Sequence, residues 1–317
     1  MKLKLGVVMD PLERIQYKKD TTFAMMLEAQ RRHWEVHTIE MDGLCLRNGK
    51  AYAWSRSVEL YDDSKRWHHY DQEEENPIDY FDVVLMRKDP PFDMEYIYAT
   101  HLLEIAESAG VFVVNKPQSL RDVNEKLYTA WFSQCTPPTL VSRQHREFRK
   151  FLAEYHKIVL KPLDGMGGAS IFVVSEDSPN ISVILEMMTA YGSRQVMAQQ
   201  YLPEISQGDK RILVVNGIAV PYALARIPAK GESRGNLAAG GTAIGVELTE
   251  RDHWIVQQVA PTLIAKGLLF VGLDVIGDYL TEINVTSPTC ARELDALYGL
   301  NIAGDFLDSI ENCLDKR

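Results

Sequence analysis

Apolar positions gather into short runs along the first third of the chain, separated by polar breaks. The run Leu3 to Met9 ends in Asp10-Pro11, and from Asp20 onward Phe23, Met26 and Leu27 share one helical face behind an Asp N-cap. The same rhythm returns with Phe81 to Met86, a helical Met94 to Ala109, and the run Val111 to Val114. Repeated strand–helix–strand units predict a parallel sheet with helices on its faces, and ligands of such sheets collect beyond the carboxyl ends of the strands. Asp10-Pro11, Arg87 to Pro91 and Asn115-Lys116-Pro117 stand at those ends and are candidates to line a site. Tyr61 to Asn76, with its acidic run Asp71 to Asn76, reads as a solvated loop. His68-His69 beside it reads as a surface pair, since adjacent side chains diverge on most backbones.

The pattern changes near Asp122. Ser119 to Asp122 resembles a capping box opening a helix through Leu127, Ala130 and Trp131, which Thr136-Pro137-Pro138-Thr139 then breaks. A helix over Phe148 to Tyr155 precedes two strands, Ile158 to Pro162 and Ile171 to Val174, joined by the Gly-rich run Leu163 to Ser170 as an antiparallel hairpin. A third region starts near Tyr201, with strands Arg211 to Val215 and Val220 to Arg226 meeting at Asn216-Gly217. Ile227 to Ala243 holds four glycines and little to bury, which suits a lid. The units are therefore expected at 1–122, 123–202 and 203–317, with the lid at 227–243.

The chain has 317 residues, 46% apolar and 25% charged, ordinary for a globular protein of two or three units. No apolar run reaches the roughly 20 residues that span a bilayer, and the N-terminus reads as a strand, so no membrane partner and a cytoplasmic location are expected. A net charge of −10 argues against a nucleic-acid partner, and any anionic ligand must be met by local cations. Cys45, Cys135, Cys290 and Cys313 show no paired or zinc-like spacing and are expected to be reduced.

The candidate chemistry centres on Leu268 to Thr289, where Asp274, Glu282 and Asn284 sit on two apolar strands joined at Gly277-Asp278. Oxygen donors among such residues call for a divalent cation, unless the acids simply face solvent. A two-residue turn puts Asp274 on the opposite face from Glu282 and Asn284. A three-residue loop, Gly277 to Tyr279, brings all three together, so an odd-length loop is expected. Gly165, Gly167 and Gly168 let backbone N–H groups approach a phosphate, with Lys161 on the preceding strand, although a Gly-rich turn is also a common structural device. No Gly-Lys-Ser/Thr follows, so it is no Walker A loop, and no G-x-G-x-x-G follows the first strand, which disfavours hydride transfer. Arg211, Arg226 and Arg234 offer guanidinium forks for carboxylate or phosphate, with surface ion pairing as the alternative. Asp209 suits a ribose hydroxyl or a turn cap.

Taken in order, Lys126, Lys161 to Gly168, Gln199 to Leu202, Gly208 to Arg211, Arg234 to Gly241, Leu273-Asp274 and Glu282 to Thr289 resemble the ATP-grasp superfamily. The likeness is nearest to the prokaryotic glutathione synthetases and covers nearly the whole chain, departing at Thr242, where relatives are expected to carry an arginine. It implies an α/β fold of the α+β ATP-grasp kind: an N-terminal parallel α/β domain, then two subdomains that grip ATP between antiparallel sheets. The activity implied is ligation of γ-glutamylcysteine to glycine, with ATP as co-substrate, through an acyl phosphate. By the same resemblance Lys126 and Lys161 hold phosphates, Gln200-Tyr201-Leu202 border adenine, and Asp274, Glu282 and Asn284 carry magnesium or manganese. Arg211, Arg226 and Arg234 become catalytic, the first two also steadying substrate carboxylates, with Ser287-Pro288-Thr289 near the peptide. Relatives form dimers or tetramers, so a homo-oligomer is implied. The alternatives are another ATP-grasp ligase, of D-alanine–D-alanine or glutamate-adding type, and a nucleotide-binding regulator without turnover.

Overall fold

Leu5, Val7 and Val8 of β1 (Lys4–Val8) are wholly inaccessible to solvent, as in strands that are covered on both faces. This computed structural model describes residues 2–317 apart from 64, 166, 230–234 and 236–239. Asp20 caps α1 (Thr21–Arg31), its Oδ1 accepting from the Phe23 N–H at 2.7 Å. There follow β2 (Glu35–Arg47), β3 (Lys50–Leu60), β4 (His68–Pro77), β5 (Val83–Met86), α2 (Met94–Ser108), β6 (Phe112–Val114) and α3 (Pro117–Asp122). The sheet order is β4-β3-β2-β1-β5-β6. β2, β1, β5 and β6 run parallel, as the sequence predicts, while β3 and β4 extend one edge antiparallel.

Two expectations for this region fail. The acidic stretch expected as a loop is mostly β4, an edge strand whose Glu73 pairs with Arg56 on β3. A run of charge reports exposure, and an edge strand is as exposed as a loop and is kept from further pairing by its charges. Ser119 to Asp122 lies inside α3 rather than opening a helix. The start signal is Pro117 in the first turn, and Leu127–Phe132 forms a separate 3-10 segment.

The middle region supplies β7 (Thr139–Ser142), α4 (His145–Tyr155), β8 (Lys157–Pro162), β9 (Phe172–Ser175), α5 (Ile181–Met188) and β10 (Val196–Gln200). Its sheet is antiparallel in the order β7-β10-β8-β9, with β8 and β9 joined across the Gly-rich turn as expected. Phe148, Leu160, Val174, Leu185 and Val196 form a core confined to this region.

The third region contains β11 (Asp209–Val215), β12 (Ile218–Ala219), β13 (Tyr222–Ile227), β14 (Thr242–Glu247), α6 (Glu250–Ala265), β15 (Phe270–Ile276), β16 (Tyr279–Asn284), α7 (Ala291–Tyr298) and α8 (Ile302–Leu314). The sheet runs β14-β13-β11-β15-β16 with β12 beside β11, and every pairing is antiparallel. Asn216 and Gly217 both have positive φ, the two-residue turn the sequence signals. The expected lid begins and ends inside strands, since Ile227 closes β13 and Thr242 opens β14, and residues 230–234 and 236–239 lie outside the described residues. The other two cores each mix residues of the first and third sheets. Phe306 of α8 meets Phe270 of β15 at 5.2 Å between ring centroids, and the Asn115 Nδ2 donates to the Phe270 and Val285 carbonyls at 2.9 and 2.7 Å.

The β15–β16 hairpin corrects the expected loop. Ile276 pairs with Tyr279, so the turn is the two-residue Gly277-Asp278, with Gly277 at φ 56°. The odd residue sits one step further on. The register shifts between Asp274 and Val275, Thr281 bulges out, and Asp274 falls opposite Glu282. The shared face is therefore real, but a bulge creates it. A Cβ on Gly277 would also lie 2.9 Å from Glu204 Cγ. Gly277→Ala is expected to cost about 1–2 kcal/mol, read as a lower midpoint of urea unfolding with an unchanged slope.

Candidate active site

Strand parity builds the site. On β11, Asp209 and Arg211 share a face. Arg211 stands opposite Asp274 of β15, Asp209 opposite Arg226 of β13, and Asp274 opposite Glu282 of β16, with Asn284 two residues on. Acids and guanidiniums thus alternate across four adjacent strands.

Arg211 donates through Nε and Nη2 to the two oxygens of Asp274 at 2.5 and 3.1 Å. Arg226 reaches Asp274 Oδ2 at 2.9 Å and also pairs with Asp209. Burial alone would raise the Asp274 carboxyl, yet Arg211 and Arg226 together hold it well below the usual carboxylate range. Asp209 goes the other way: burial pushes it up to about 6 against the pull of Arg226, and its Oδ1 is enclosed without a partner among the described residues. Among the described residues neither arginine's Nη1 has a hydrogen-bond partner, and both side chains line a cavity of about 240 Å³.

Two lysines face this row, Lys161 from β8 of the middle sheet and Lys126 from just before the Leu127–Phe132 3-10 segment. Lys161 on β8 is buried, no carboxylate among the described residues pairs with it, and desolvation lowers its pKa. Lys126 donates to the Gly165 carbonyl at 2.6 Å and to Glu125, with Glu282 at 3.7 Å. Burial works against the Lys126 charge, but Glu282 and then Glu125 outweigh it and raise the pKa. Between the sheets lies a cleft bordered by Lys126, Lys161, Gly165, Gly167, Gly168, Gln200, Tyr201, Leu202, Asp209, Asp274 and Glu282. Every nucleotide-contact candidate from the sequence meets there. The Lys157 Nζ rests 3.9 Å from the Tyr201 ring centre, which stiffens that wall.

The adjoining cavity shares Gly167, Asp274 and Glu282 with the cleft and brings in Arg211, Arg226, Asn284, Ser287, Pro288 and Thr289. Arg234 lies outside the described residues. Its neighbour Gly235 packs on the Arg226 backbone, where a Cβ would come within 2.4 Å of the carbonyl oxygen. Glu125 was not legible as a site residue. It borders the same cavity because its carbonyl accepts from the Ile283 N–H at 2.8 Å, a tertiary bond with no local sequence signal.

Asp274, Glu282 and Asn284 form a hard, all-oxygen donor set suited to magnesium or manganese. They comprise two carboxylates and an amide; among the described residues there is no cluster of three His, Cys, Asp or Glu side chains. The Asn284 Nδ2 is buried without a partner among the described residues. Rotating that amide by half a turn keeps its shape and presents the oxygen instead, so the set fits a cation.

Removing one partner from a buried charge cluster strands the others. Arg226→Ala is expected to cost about 3–5 kcal/mol in chemical unfolding, with Arg226→Lys recovering part of it.

Comparison with known proteins agrees with this geometry. Residues 3–121 match the N-terminal domain model of prokaryotic glutathione synthetase, and residues 125–299 match the ATP-grasp domain model of the same family. A glutathione synthetase of Vibrio parahaemolyticus is 59% identical over 98% of both chains, and one of Pseudomonas syringae pv. tomato is 58% identical over 100% of this chain and 99% of its own. Among solved structures, a D-cycloserine synthetase aligns with a TM-score of 0.67 at 15% identity, covering 98% of this chain and 99% of its own. The D-alanyl-alanine synthetase A of Vibrio cholerae aligns at 0.63 and 16% over 100% and 99%, and both share the fold. With both domain models matched in order and relatives of this similarity spanning its length, the chain belongs to the prokaryotic glutathione synthetase family of ATP-grasp ligases.

Proposed function

We propose that the chain joins γ-L-glutamyl-L-cysteine to glycine, giving glutathione, ADP and phosphate, with the following division of labour. The observation that carries it is one cleft in which two buried lysines, Lys161 of the middle sheet and Lys126 before the 3-10 segment, meet the Asp274–Glu282 pair.

ATP lies in the cleft. Lys126 and Lys161 bind its phosphates, the backbone N–H groups around Gly165, Gly167 and Gly168 cover them, and Gln200, Tyr201 and Leu202 border adenine. Asp209, through the Oδ1 that has no partner among the described residues, accepts from a ribose hydroxyl. A divalent cation held by Asp274, Glu282 and Asn284 would supply charge neutralisation between the terminal phosphates. Arg211 and Arg226 turn their remaining N–H groups to the dipeptide's cysteinyl carboxylate, and Ser287, Pro288 and Thr289 border its chain. That carboxylate oxygen attacks the γ-phosphorus, the bond to the ADP oxygen breaks, and an acyl phosphate forms. The glycine amine then attacks the acyl carbon, losing a proton as inorganic phosphate leaves. Charge spreads over the phosphoryl oxygens, so catalysis asks for position and fixed cations more than for a covalent partner. Lys161 suits that task because no carboxylate among the described residues already claims it. Arg234 belongs to the same catalytic proposal.

The same proposal divides the chain into an N-terminal domain, 1–122, and two ATP-grasp subdomains, 123–202 and 203–317. It makes the protein a cytoplasmic homo-oligomer, a dimer or tetramer, which sedimentation of the purified chain tests. Among the described residues no helix is long and apolar enough to cross a membrane.

Phosphate release from ATP and magnesium should need both γ-glutamylcysteine and glycine, and a rate unchanged by omitting either one would sink the proposal. Glu282→Gln is expected to lower turnover by about 10²-fold or more without shifting the melting temperature. Arg226→Lys keeps the charge but loses the fork, so the KM for the dipeptide should rise about tenfold.

A further inference from the structure

Glu125 borders the cavity of Arg211 and Arg226 beside Glu282 and Asn284, yet the ligation chemistry asks nothing of it. Its backbone pins it there, the carbonyl accepting from the Ile283 N–H at 2.8 Å, between Glu282 and Asn284 on β16. The residues on either side reach the opposite way. Asn124 Nδ2 donates to the Leu163 carbonyl at 2.9 Å and Lys126 Nζ to the Gly165 carbonyl at 2.6 Å, both in the Gly-rich turn of the middle sheet. Asn124 Oδ1 also accepts from the Lys126 and Leu127 N–H groups at 3.1 and 2.8 Å, which fixes the local fold. Residues 124–126 thus rivet the Gly-rich turn to the hairpin of Asp274 and Glu282.

One ammonium and two carboxylates meet at this rivet. Lys126 is only 3% exposed, so its charge must find anions close by. Glu125 supplies one through a direct hydrogen bond, while Glu282 Oε1 stands 3.7 Å away, just outside hydrogen-bond reach. Among the described residues no hydrogen bond ends on the Glu282 carboxylate. The balance is close, because Glu282 still attracts the ammonium through space and a shift of about 1 Å closes the gap. Burial raises the Glu125 carboxyl, and the charge of Glu282 raises it further against the pull of Lys126. Two acids therefore compete for one lysine. A carboxylate that accepts from an ammonium has less charge and fewer lone pairs to offer a divalent ion.

We propose that Glu125 is a positioning residue that holds the Lys126 ammonium towards the phosphate cleft and so keeps Glu282 free for the divalent cation. The inference rests on the reading of the cleft as an ATP and cation site and deepens it. Without the Glu125 charge the ammonium falls back on Glu282, and one displacement harms two ligands: the cation loses an oxygen donor and the phosphates lose a lysine. Glu125 acts through Lys126 and Glu282 and touches no substrate.

The test reads binding rather than turnover. Electron paramagnetic resonance follows free Mn²⁺ in titrations of the nucleotide-free protein, and calorimetry follows ADP in EDTA. Glu125→Gln keeps the shape but offers only a neutral oxygen. It should weaken Mn²⁺ binding about tenfold and metal-free ADP binding by a similar factor, with melting curves reporting that it folds. A carboxylate acting only through its field gives the opposite sign for ADP, since removing a negative charge near the phosphates favours an anion. Tighter ADP binding, or either affinity unchanged, overturns the proposal. Lys126→Met added to Glu125→Gln should restore Mn²⁺ binding and leave ADP weak; Mn²⁺ binding that stays weak shows that Lys126 is not what occupies Glu282, and overturns it too. Glu125→Ala takes the place of the glutamine variant if that one does not fold, with the same readings expected. Wild-type protein that binds ADP but no Mn²⁺ overturns the cation reading together with this proposal. The ligase reading is decided separately, by phosphate release that needs both γ-glutamylcysteine and glycine.

Discussion

Asp274 is a carboxylate with almost no access to water, and the third sheet is arranged around keeping it charged. Two guanidiniums from neighbouring strands hold it, one of them shared with Asp209. Neither arginine could be buried there without the acids, nor the acids without the arginines, so the four residues stand or fall together. This mutual dependence fixes the shape of the wall against which both the cleft and the adjoining cavity are built. It also leaves each guanidinium, among the described residues, with donors to spare on the cavity that both side chains line.

The register that brings Glu282 to this cluster depends on one surplus residue. Alternation of side chains along a strand made the need for that residue legible in the sequence, since an even count would have separated Asp274 from Glu282. Its location was not legible. Gly277-Asp278 is a good two-residue turn, so the surplus moved into the strand as a bulge at Thr281, whose threonine carries no mark distinguishing it from any other strand residue. A similar limit applies to β4, whose acids announced exposure but not pairing. In contrast, Asn48-Gly49 carries the same hairpin signal as Asn216-Gly217, with positive φ at both residues, and joins β2 to β3. The residues that line the cleft were readable because their types and order match those that phosphate chemistry asks for. Glu125 was not, because only the tertiary fold brings it to the site.

A chain of net charge −10 handles two anionic substrates by concentrating positive charge in its interior rather than over its surface. Lys161, Arg87, Arg211 and Arg226 are all nearly buried. In so poorly screened a setting a single cation acts strongly on a nearby phosphate or carboxylate, whereas an exposed one is weakened by water and salt. The acidic exterior therefore does not weaken the pull of these cations on anions inside.

The distribution of apolar cores has a mechanical meaning for this cleft. Helix α8 packs on α1 and Phe270, and Asn115 ties the end of the first sheet to β15 and the segment after β16, so the first and third regions are welded into one anvil. The middle sheet keeps a core of its own and meets that anvil mainly through the polar cleft. It is a jaw hung on a stiff frame. Asp274 and Glu282 belong to the welded frame, whereas Lys161 and the Gly-rich turn belong to the sheet whose apolar core stands apart from it.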